Sequence, residues 1–367
     1  MKFLHKKLDE RRENGTLRTL KPFTDGIDFY SNDYLGMATH EEIHVKAKNL
    51  LLEKELFQRN GSGGSRLLSG NFAFYEEVET YLAAFFGAEA ALIYHSGYDA
   101  LLGTLSCLPT RADTVLYDDL VHASARDGIR LSAAKNFSFR HNDLQDLESK
   151  IKRAEGNVFV VVESLYSMDG DTAPLQEIYE LQKKYGFVWL IDEAHSGGIY
   201  GEQGKGLSYQ FSNENTIRFI TFGKAYGVEG ACVLGSRTLR DYLINFSRSF
   251  IYTTAPAPEF FAKIKSSVQI VSKADEERTT LNENIQTFIN TFSYHFPCTN
   301  TPVQIFKGAN KKQLIDITNQ LSEINITVRP IFYPTVREGE ERLRIVLHAF
   351  NNEFQVENLA QVIISKK

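Results

Sequence analysis

The sequence predicts an α/β protein: a large domain with a mostly parallel sheet between helices, and a smaller C-terminal α/β domain. Three observations support this prediction. Short apolar, β-branched runs alternate with helical segments from about residue 90 to residue 235. Polar and ionisable side chains follow these runs where each predicted strand ends. After Ser236 a long helical stretch replaces the alternation. Strands that alternate with helices form right-handed βαβ units and hence parallel sheets.

The individual elements follow from periodicity and from turn residues. The predicted strands are residues 27–30, 90–94, 115–117, 137–139, 157–162, 187–191, 219–220 and 232–234, followed by 303–306, 326–329 and 343–347. The predicted helices are a short N-terminal segment, residues 71–86, a helix from residue 100, and residues 174–185, 259–292 and 353–364. In a parallel sheet the strands present their carboxyl ends at one edge, where functional residues gather.

Length and pattern together divide the chain. A chain of 367 residues is long enough for one large domain and a smaller one. We predict an N-terminal arm over residues 1–40 that contributes to the small domain. Residues 41–255 then form the large domain, and residues 256–367 form the small C-terminal domain.

Composition excludes several classes of protein. The apolar fraction of 43% and the charged fraction of 24% are typical of globular proteins. A net charge of -5 gives no general affinity for nucleic acid. The three cysteines are far apart and form no CxxC pair, so neither a disulfide framework nor a metal site is expected. We expect a cytoplasmic protein, because residues 1–7 lack the apolar run of a signal peptide.

The most informative residue is Lys224, which lies between two predicted strands and is flanked by Gly223 and Gly227. Most loop lysines are solvated, so this position alone leaves an ordinary surface role open. Upstream, however, an apolar run ends in an acid and a histidine, Asp192 and His195. Strand-end acids followed by a glycine-flanked lysine indicate a Schiff-base enzyme that uses pyridoxal phosphate.

Other candidate residues share this placement at the ends of strands. Residues at or just after predicted strand ends are Tyr98, His122, Ser167, Asp192, His195, Thr221 and Lys224. The turn at residues 96–98 leads into a helix whose first N–H groups can bind a phosphate, although a plain turn explains it equally well. His122 is either a satisfied polar residue or a ring that stacks on a flat ligand.

Several polar segments allow two interpretations. Asn32 closes an Asx turn or faces a ligand. Residues 61–66 are glycine-rich but lack the Gly-Lys-Ser/Thr ending of a P-loop, which favours a mobile loop near the site. Arginine suits bidentate binding of a carboxylate. Arg344, inside an apolar alternation, is the stronger candidate, whereas a surface salt bridge is the expected role of Arg342.

Seven segments, in this order and spacing, carry a resemblance to a known family. They are residues 31–36 (SNDYLG), 61–66 (GSGGSR), 119–124 (DLVHAS), 167–171 (SMDGD), 192–195 (DEAH), 201–206 (GEQGKG) and 221–224 (TFGK). From about residue 29 onwards the chain resembles the α-oxoamine synthases, within the fold type I pyridoxal-phosphate enzymes. This resemblance implies a fold type I transferase and a pyridoxal 5'-phosphate cofactor.

The resemblance implies four catalytic residues. Lys224 binds the cofactor as a Schiff base and moves the substrate α-proton. Asp192 pairs with the pyridine nitrogen, and His122 stacks on the ring. His195, together with Ser167, hydrogen-bonds the phenolic oxygen of the ring.

It also implies how the cofactor phosphate is held. The backbone at Gly97 and Tyr98, with Thr221, binds the phosphate group. Thr253 or Thr254 reaches the phosphate of a neighbouring subunit, as in family dimers. A homodimer with shared active sites is therefore expected.

For substrates, the resemblance implies that Asn32 and Arg344 hold the amino-acid carboxylate and that Thr335 lines the acyl side. Arg18 corresponds to the family's N-terminal arginine, although it matches less well and the segment around it also fits a solvated arm. Tyr75 stands where many members have histidine, a departure that bears on the specificity for the acyl chain.

The reaction implied is a decarboxylative condensation of an amino acid with an acyl thioester. The closest resemblance implies L-alanine and a pimeloyl thioester, carried by coenzyme A or by an acyl-carrier protein, in biotin biosynthesis. One alternative is a relative that uses glycine and another acyl-CoA, such as a glycine acetyltransferase or aminolevulinate synthase. A retired scaffold that keeps the fold without chemistry is a second alternative.

Overall fold

The computed structural model describes residues 1–20 and 26–366. Its helices are α1 (Lys2–Glu13), α2 (Glu41–Glu53), α3 (Ala73–Phe86), α4 (Gly97–Cys107), α5 (Ala123–Leu131), α6 (Leu144–Ile151), α7 (Leu175–Tyr185), α8 (Arg237–Phe246), α9 (Arg248–Ile251), α10 (Pro258–Val271), α11 (Asp275–Phe292), α12 (Lys311–Glu323) and α13 (Glu353–Ile364). Its strands are β1 (Ile27–Asp28), β2 (Ala90–Tyr94), β3 (Thr114–Asp118), β4 (Lys135–Phe139), β5 (Val158–Glu163), β6 (Val188–Asp192), β7 (Thr216–Thr221), β8 (Ala231–Gly235), β9 (Val303–Phe306), β10 (Ile326–Thr327), β11 (Arg329–Ile331) and β12 (Arg342–Val346).

The main sheet has the order β2-β8-β7-β6-β5-β3-β4 across the described residues. Strands β3 to β7 pair in parallel, and β8 runs antiparallel to both of its neighbours. Strand β2 therefore points the same way as β7. Six strands of this sheet thus present their carboxyl ends at one edge. The predicted fold class, an α/β fold with a mostly parallel sheet between helices, is confirmed.

Strand β5 shows why the sheet lies between two layers of helices. Phe159 and Val161 pack in one apolar cluster with residues of α4 and α5, whereas Val160 and Val162 pack in another with residues of α6 and α7. Successive side chains of a strand point to opposite faces, so both faces of the sheet are covered. This arrangement explains the continuous apolar run in the sequence.

Three predicted elements need correction. Helix α4 begins at Gly97 and not at residue 100, because Ser96 Oγ accepts the Asp99 N–H and caps the helix there. The helix predicted over residues 259–292 is two helices, since α10 ends at Val271 and α11 begins at Asp275. The strand predicted over residues 326–329 is divided between β10 and β11.

The chain divides into two compact units, which we call the larger and the smaller unit. The larger unit comprises Asn32–Ser167 and Asp171–Thr280, and the smaller unit comprises Met1–Ser31, Met168–Gly170 and Leu281–Lys367. The smaller unit contains an antiparallel sheet of order β11-β12-β9 and a parallel pair of β1 with β10. The main sheet lies wholly within the larger unit.

The division into residues 1–40, 41–255 and 256–367 stays a prediction. Helix α10 and the first residues of α11 fall in the larger unit of the structure. Residues 21–25 of the predicted arm lie outside the described residues. Among the described helices, none is long and apolar enough to cross a membrane.

Candidate active site

The loop after β7 places Lys224 against the residues that follow β6. Lys224 Nζ lies 2.9 Å from His195 Nε2, and Tyr34 Oη lies 2.5 Å from His195 Nδ1. Tyr34 is fully buried and His195 is 6% exposed, whereas Lys224 is half-buried. The imidazole is therefore held at both nitrogens, with one of them directed at the lysine amine.

Two carboxyl groups lie at the adjacent ends of β5 and β6. Glu163 pairs with Asp192 in the register of the two strands, and both residues are buried. Burial raises the pKa of Asp192, against the opposing charge of Lys224. Burial and the neighbouring charge of Asp192 raise the pKa of Glu163 to about 8. Two buried acids beside an amine form a polarised site at the strand ends.

His122 follows β3 and caps helix α5. Its Nδ1 lies 2.7 Å from the hydroxyl of Ser124, and the Ser124 N–H donates to the same nitrogen at 3.3 Å. The surrounding protein buries the imidazole enough to lower its pKa, although Asp192 acts in the opposite direction. The charge of Lys224 also acts on His122, and it lowers the pKa further. The start of α5 therefore holds one edge of the imidazole, and the stacking role of His122 stays a prediction.

A cradle for an anion lies where β2 leads into α4. The first N–H groups of a helix have no partner within the helix. Gly97 lies close to Thr221, since a Cβ at this position would be 3.5 Å from both Cβ and Oγ1 of Thr221. Thr221 Oγ1 donates to Gly230 O at 3.3 Å. The Tyr98 hydroxyl instead donates to Asp127 Oδ2 at 2.6 Å, so only its backbone remains a candidate for phosphate binding.

Ser167 lies in the loop after β5 and is 7% exposed. Its N–H donates to Glu163 Oε2 at 3.1 Å, which ties this loop to the acid at the end of the strand.

Asn32, Thr253 and Thr254 also belong to the larger unit. Thr254 is exposed and Thr253 half-buried, so both are accessible on the chain surface.

The remaining predicted substrate residues belong to the smaller unit. Arg18 Nη2 donates to Thr335 Oγ1 at 2.9 Å, which brings two of them together. Arg344 is buried in the middle of β12. Arg342 does form salt bridges, with Asp169 at 2.6 Å and with Glu340, but it is buried and not on the surface as expected. The roles of these residues stay predictions.

Two residues of the site carried no role in the sequence analysis. Tyr34 contacts His195 across 161 positions of sequence, and Glu163 meets Asp192 only through strand pairing. Glu163 ends an apolar strand, as Asp192 does, so its position in the sequence could have indicated that it belongs to the site. Tyr34 lies in one of the seven family segments, but nothing local in the sequence indicates its partner.

Comparison with known proteins identifies the family. The family model for aminotransferase class I and II matches residues 24–363. The chain belongs to this family. A protein of Emericella nidulans named 8-amino-7-oxononanoate synthase is 36% identical, covering 96% of this chain and 92% of its own length. A protein of the same name from Marinobacter nauticus is 34% identical and covers 100% and 97%.

Solved structures agree with the family assignment. Serine palmitoyltransferase of Sphingomonas wittichii has a TM-score of 0.88 at 26% identity, covering 98% of this chain and 96% of its own. An 8-amino-7-oxononanoate synthase of Francisella tularensis has a TM-score of 0.78 at 25% identity, covering 93% and 98%. The predicted fold type I fold and the resemblance to the α-oxoamine synthases are confirmed. The chain is a pyridoxal-phosphate-dependent acyltransferase.

The residues present fit the cofactor of this family. The Lys224 amine suits the aldehyde of the cofactor, and the buried carboxyl group of Asp192 suits its pyridine ring. The start of α4 at Gly97, near the Thr221 hydroxyl, suits its phosphate. The sequence predicted the lysine and the acid from their positions at strand ends, and the family resemblance implied the phosphate contacts. The assignment of Lys224, Asp192 and Gly97 to the cofactor is supported by geometry and remains a proposal.

The Tyr34 hydroxyl provides a first test of this arrangement. Replacing Tyr34 by phenylalanine removes the group next to His195 Nδ1 and leaves the imidazole tautomer less defined, so we expect kcat to fall about tenfold. Tyr226→Phe is a matched control, because the hydroxyl of this buried tyrosine donates to Gly204 O at 3.1 Å. Steady-state kinetics and thermal unfolding of both variants check the prediction. An equal loss of kcat in the two variants would contradict it.

Proposed function

We propose that this chain condenses L-alanine with a pimeloyl thioester to form 8-amino-7-oxononanoate, a step of biotin biosynthesis. The α-carbon of alanine forms a bond with the thioester carbonyl carbon, the thiol leaves, and the amino-acid carboxyl group is lost as carbon dioxide. The observation that carries this proposal is the pair of Lys224 and His195, 2.9 Å apart, in a chain that matches named synthases over 96% of its length.

The cofactor, when bound, supplies an electron sink for the charge that develops at the α-carbon. In our proposal Lys224 holds it covalently, and Asp192 pairs with the pyridine nitrogen from its buried position. His195 presents Nε2 to the phenolic oxygen, together with Ser167, and His122 stacks on the ring. The α4 backbone at Gly97 and Tyr98, with Thr221, binds the phosphate.

Lys224 also moves the α-proton in this proposal. Its amine is half-buried and lies beside the imidazole of His195, so Nζ can accept a proton while the ring stays positioned by Tyr34. These contacts support a role for Lys224 in moving the α-proton.

The substrates and the assembly are part of the same proposal. Asn32 and Arg344 bind the carboxylate of alanine, and Thr335, with Arg18 hydrogen-bonded to it, lines the acyl side. Thr253 or Thr254 completes the phosphate site of a second copy in a homodimer. Asn32 lies in the family segment 31–36, and the roles of the other residues are those that the family resemblance implies.

The decisive experiment is a visible-absorption titration of the protein loaded with pyridoxal phosphate. We expect the cofactor band to respond to L-alanine at lower concentration than to glycine, and expect product from alanine and pimeloyl-CoA or pimeloyl-carrier protein. A stronger response to glycine would move the assignment to a glycine-using relative. A protein that binds no cofactor would contradict the enzyme assignment as a whole.

A second candidate has one observation in its favour. The serine palmitoyltransferase structure superposes with a higher TM-score, 0.88, than the 8-amino-7-oxononanoate synthase structure, 0.78. The candidate reaction joins L-serine to a palmitoyl thioester. The same titration with L-serine, followed by assay with palmitoyl-CoA, distinguishes the two. We expect serine to be the weaker ligand.

Arg344 offers a test of amino-acid binding. A guanidinium that holds a carboxylate contributes charge-assisted hydrogen bonds, so Arg344→Ala should raise the KM for alanine about tenfold to a hundredfold. The affinity for pyridoxal phosphate should change far less. Arg344→Lys keeps the charge without the planar fork and should give an intermediate KM. An unchanged affinity for alanine would remove Arg344 from the site.

A further inference from the structure

A histidine outside the proposed catalytic group bridges two carboxyl groups at the same edge of the sheet. His141 follows β4, and its Nδ1 lies 2.9 Å from Oδ1 of Asp118, at the end of β3. Its Nε2 lies 2.7 Å from Oδ2 of Asp171, in the loop that follows β5. Asp118 is fully buried, and the imidazole is about three-quarters buried. His141 therefore joins two strand ends to the loop.

The loop that His141 holds is the one that carries Ser167. Its two sides are paired, since Leu165 and Thr172 form an antiparallel bridge and Tyr166 N–H donates to Asp171 O at 2.9 Å. The ring of Tyr166 packs edge-on against His141, with 4.5 Å between ring centres. The position of Asp171 thus determines the position of residues 165–166, which pair with it and lead to Ser167.

Asn142 reinforces the same connection. Its side-chain amide donates to Asp171 Oδ2 at 2.9 Å and to Thr172 O at 3.2 Å, and its N–H donates to Asp118 Oδ2 at 2.9 Å. One carboxyl oxygen of Asp171 thus receives contacts from both His141 and Asn142. A pair of neighbouring residues therefore connects a buried strand-end acid to the loop by five contacts.

The environment favours the charged form of His141. Burial, the largest single influence, lowers the pKa of His141, but hydrogen bonds and charges from Asp118 and Asp171 outweigh it and raise the pKa to about 10. The ionisable groups that face the imidazole are these two acids and Tyr166. The flanking Arg140 pairs with Asp143 at 2.7 Å. A charged histidine between two acids forms stronger hydrogen bonds than a neutral one.

We propose that His141, as an imidazolium between Asp118 and Asp171, is a positioning residue that holds the 164–173 loop so that Ser167 meets the cofactor. It acts through Ser167 and touches neither cofactor nor substrate. This inference rests on the cofactor-binding part of the proposed function and is independent of which amino acid and thioester react. The contact of Ser167 N–H with Glu163 defines the loop from its other side.

The test is a double-mutant cycle on the affinity of the apoprotein for pyridoxal phosphate. We expect His141→Gln to weaken binding about tenfold, because a charge-assisted contact is replaced by a neutral one. Asp171→Asn, which preserves shape, should weaken binding similarly. In a Ser167→Ala background, His141→Gln should weaken binding less than about threefold, since residues that act through one another are not additive. Equilibrium dialysis and the cofactor absorption band measure the affinities.

Stability as a function of pH provides a separate readout. An unperturbed histidine has a pKa of about 6.5. The folded-state pKa of His141 is higher, about 10. Its contribution to the free energy of unfolding is therefore fully present below about pH 6.5 and is lost as the pH rises through 10. The wild type should therefore lose stability relative to His141→Gln across this range. His5→Gln, on exposed α1, should match the wild type in stability and in cofactor affinity.

Two results would overturn the proposal. One is a folded His141→Gln protein, together with a folded Asp171→Asn protein, that binds the cofactor within about threefold of the wild type. The other is an equal loss of affinity with and without Ser167, which indicates a merely structural role. Failure of the proposed function is distinguishable, because it is measured as absence of condensation by the wild type with alanine and the pimeloyl thioester.

Discussion

Replacing Lys224 by alanine is expected to reduce the rate of condensation by about a thousandfold or more. The substitution removes both the covalent attachment point and the amine that moves the α-proton, and general-base catalysis alone contributes roughly a hundredfold to ten-thousandfold. The amine that is lost lies 2.9 Å from His195 Nε2, so the substitution also removes this contact. Steady-state turnover with alanine and the pimeloyl thioester measures the loss.

Lys184→Ala is the control for this experiment. This lysine is exposed on α7 and pairs with Glu148, away from the strand ends, so its removal should leave kcat and the cofactor absorption band unchanged. The Lys224→Ala protein should still bind pyridoxal phosphate through its phosphate and ring contacts, but with a changed absorption maximum. Normal turnover by Lys224→Ala would remove this lysine from the mechanism.

Replacing Asp192 by asparagine is the second large effect, with kcat expected to fall about a hundredfold. Loss of a charge-assisted contact of about 2.7 kcal/mol in the transition state corresponds to this factor. Asp192 is 8% exposed, and a charge-assisted contact is stronger where water is largely excluded. Turnover and cofactor affinity should be measured together. The fall in kcat should exceed the loss of affinity.

Asp241→Asn is the matched control, because this aspartate is exposed on α8 and the substitution changes the same atoms. Its kinetics should equal those of the wild type. Thermal unfolding of both variants separates a damaged fold from a damaged site. A folded Asp192→Asn protein with wild-type kcat would show that this carboxyl group does not tune the cofactor.

The residues that the sequence identified share one property. Asp192 is the last residue of an apolar strand, and His195 and Lys224 lie in loops that follow such strands, so the local pattern alone places them at one edge of a parallel sheet. Their mutual distances depend on strand order, which the periodicity of a single strand does not contain. The structure brings β6 beside β7 and so brings His195 against Lys224.

The boundaries of helices were also predicted less well than the helices themselves, because local sequence does not contain all the contacts that begin or end a helix. The start of α4 was placed three residues too late, because Ser96 caps the helix and Gly97 carries no apolar signal. The break between α10 and α11 is short and contains neither glycine nor proline, so the helical periodicity of residues 259–292 gave no sign of it.

The sequence by itself predicted the class of fold and the three side chains on which the proposed chemistry depends, because strand periodicity and strand-end residues are local properties. The seven segments that carry the family resemblance are local as well, and they indicated the family. Only the tertiary structure decided that Tyr34 holds His195 from 161 positions away, that Glu163 lies beside Asp192, and that His141 joins two acids. Each of these contacts needs several strands to close together in the right order. No short segment of the chain encodes that order.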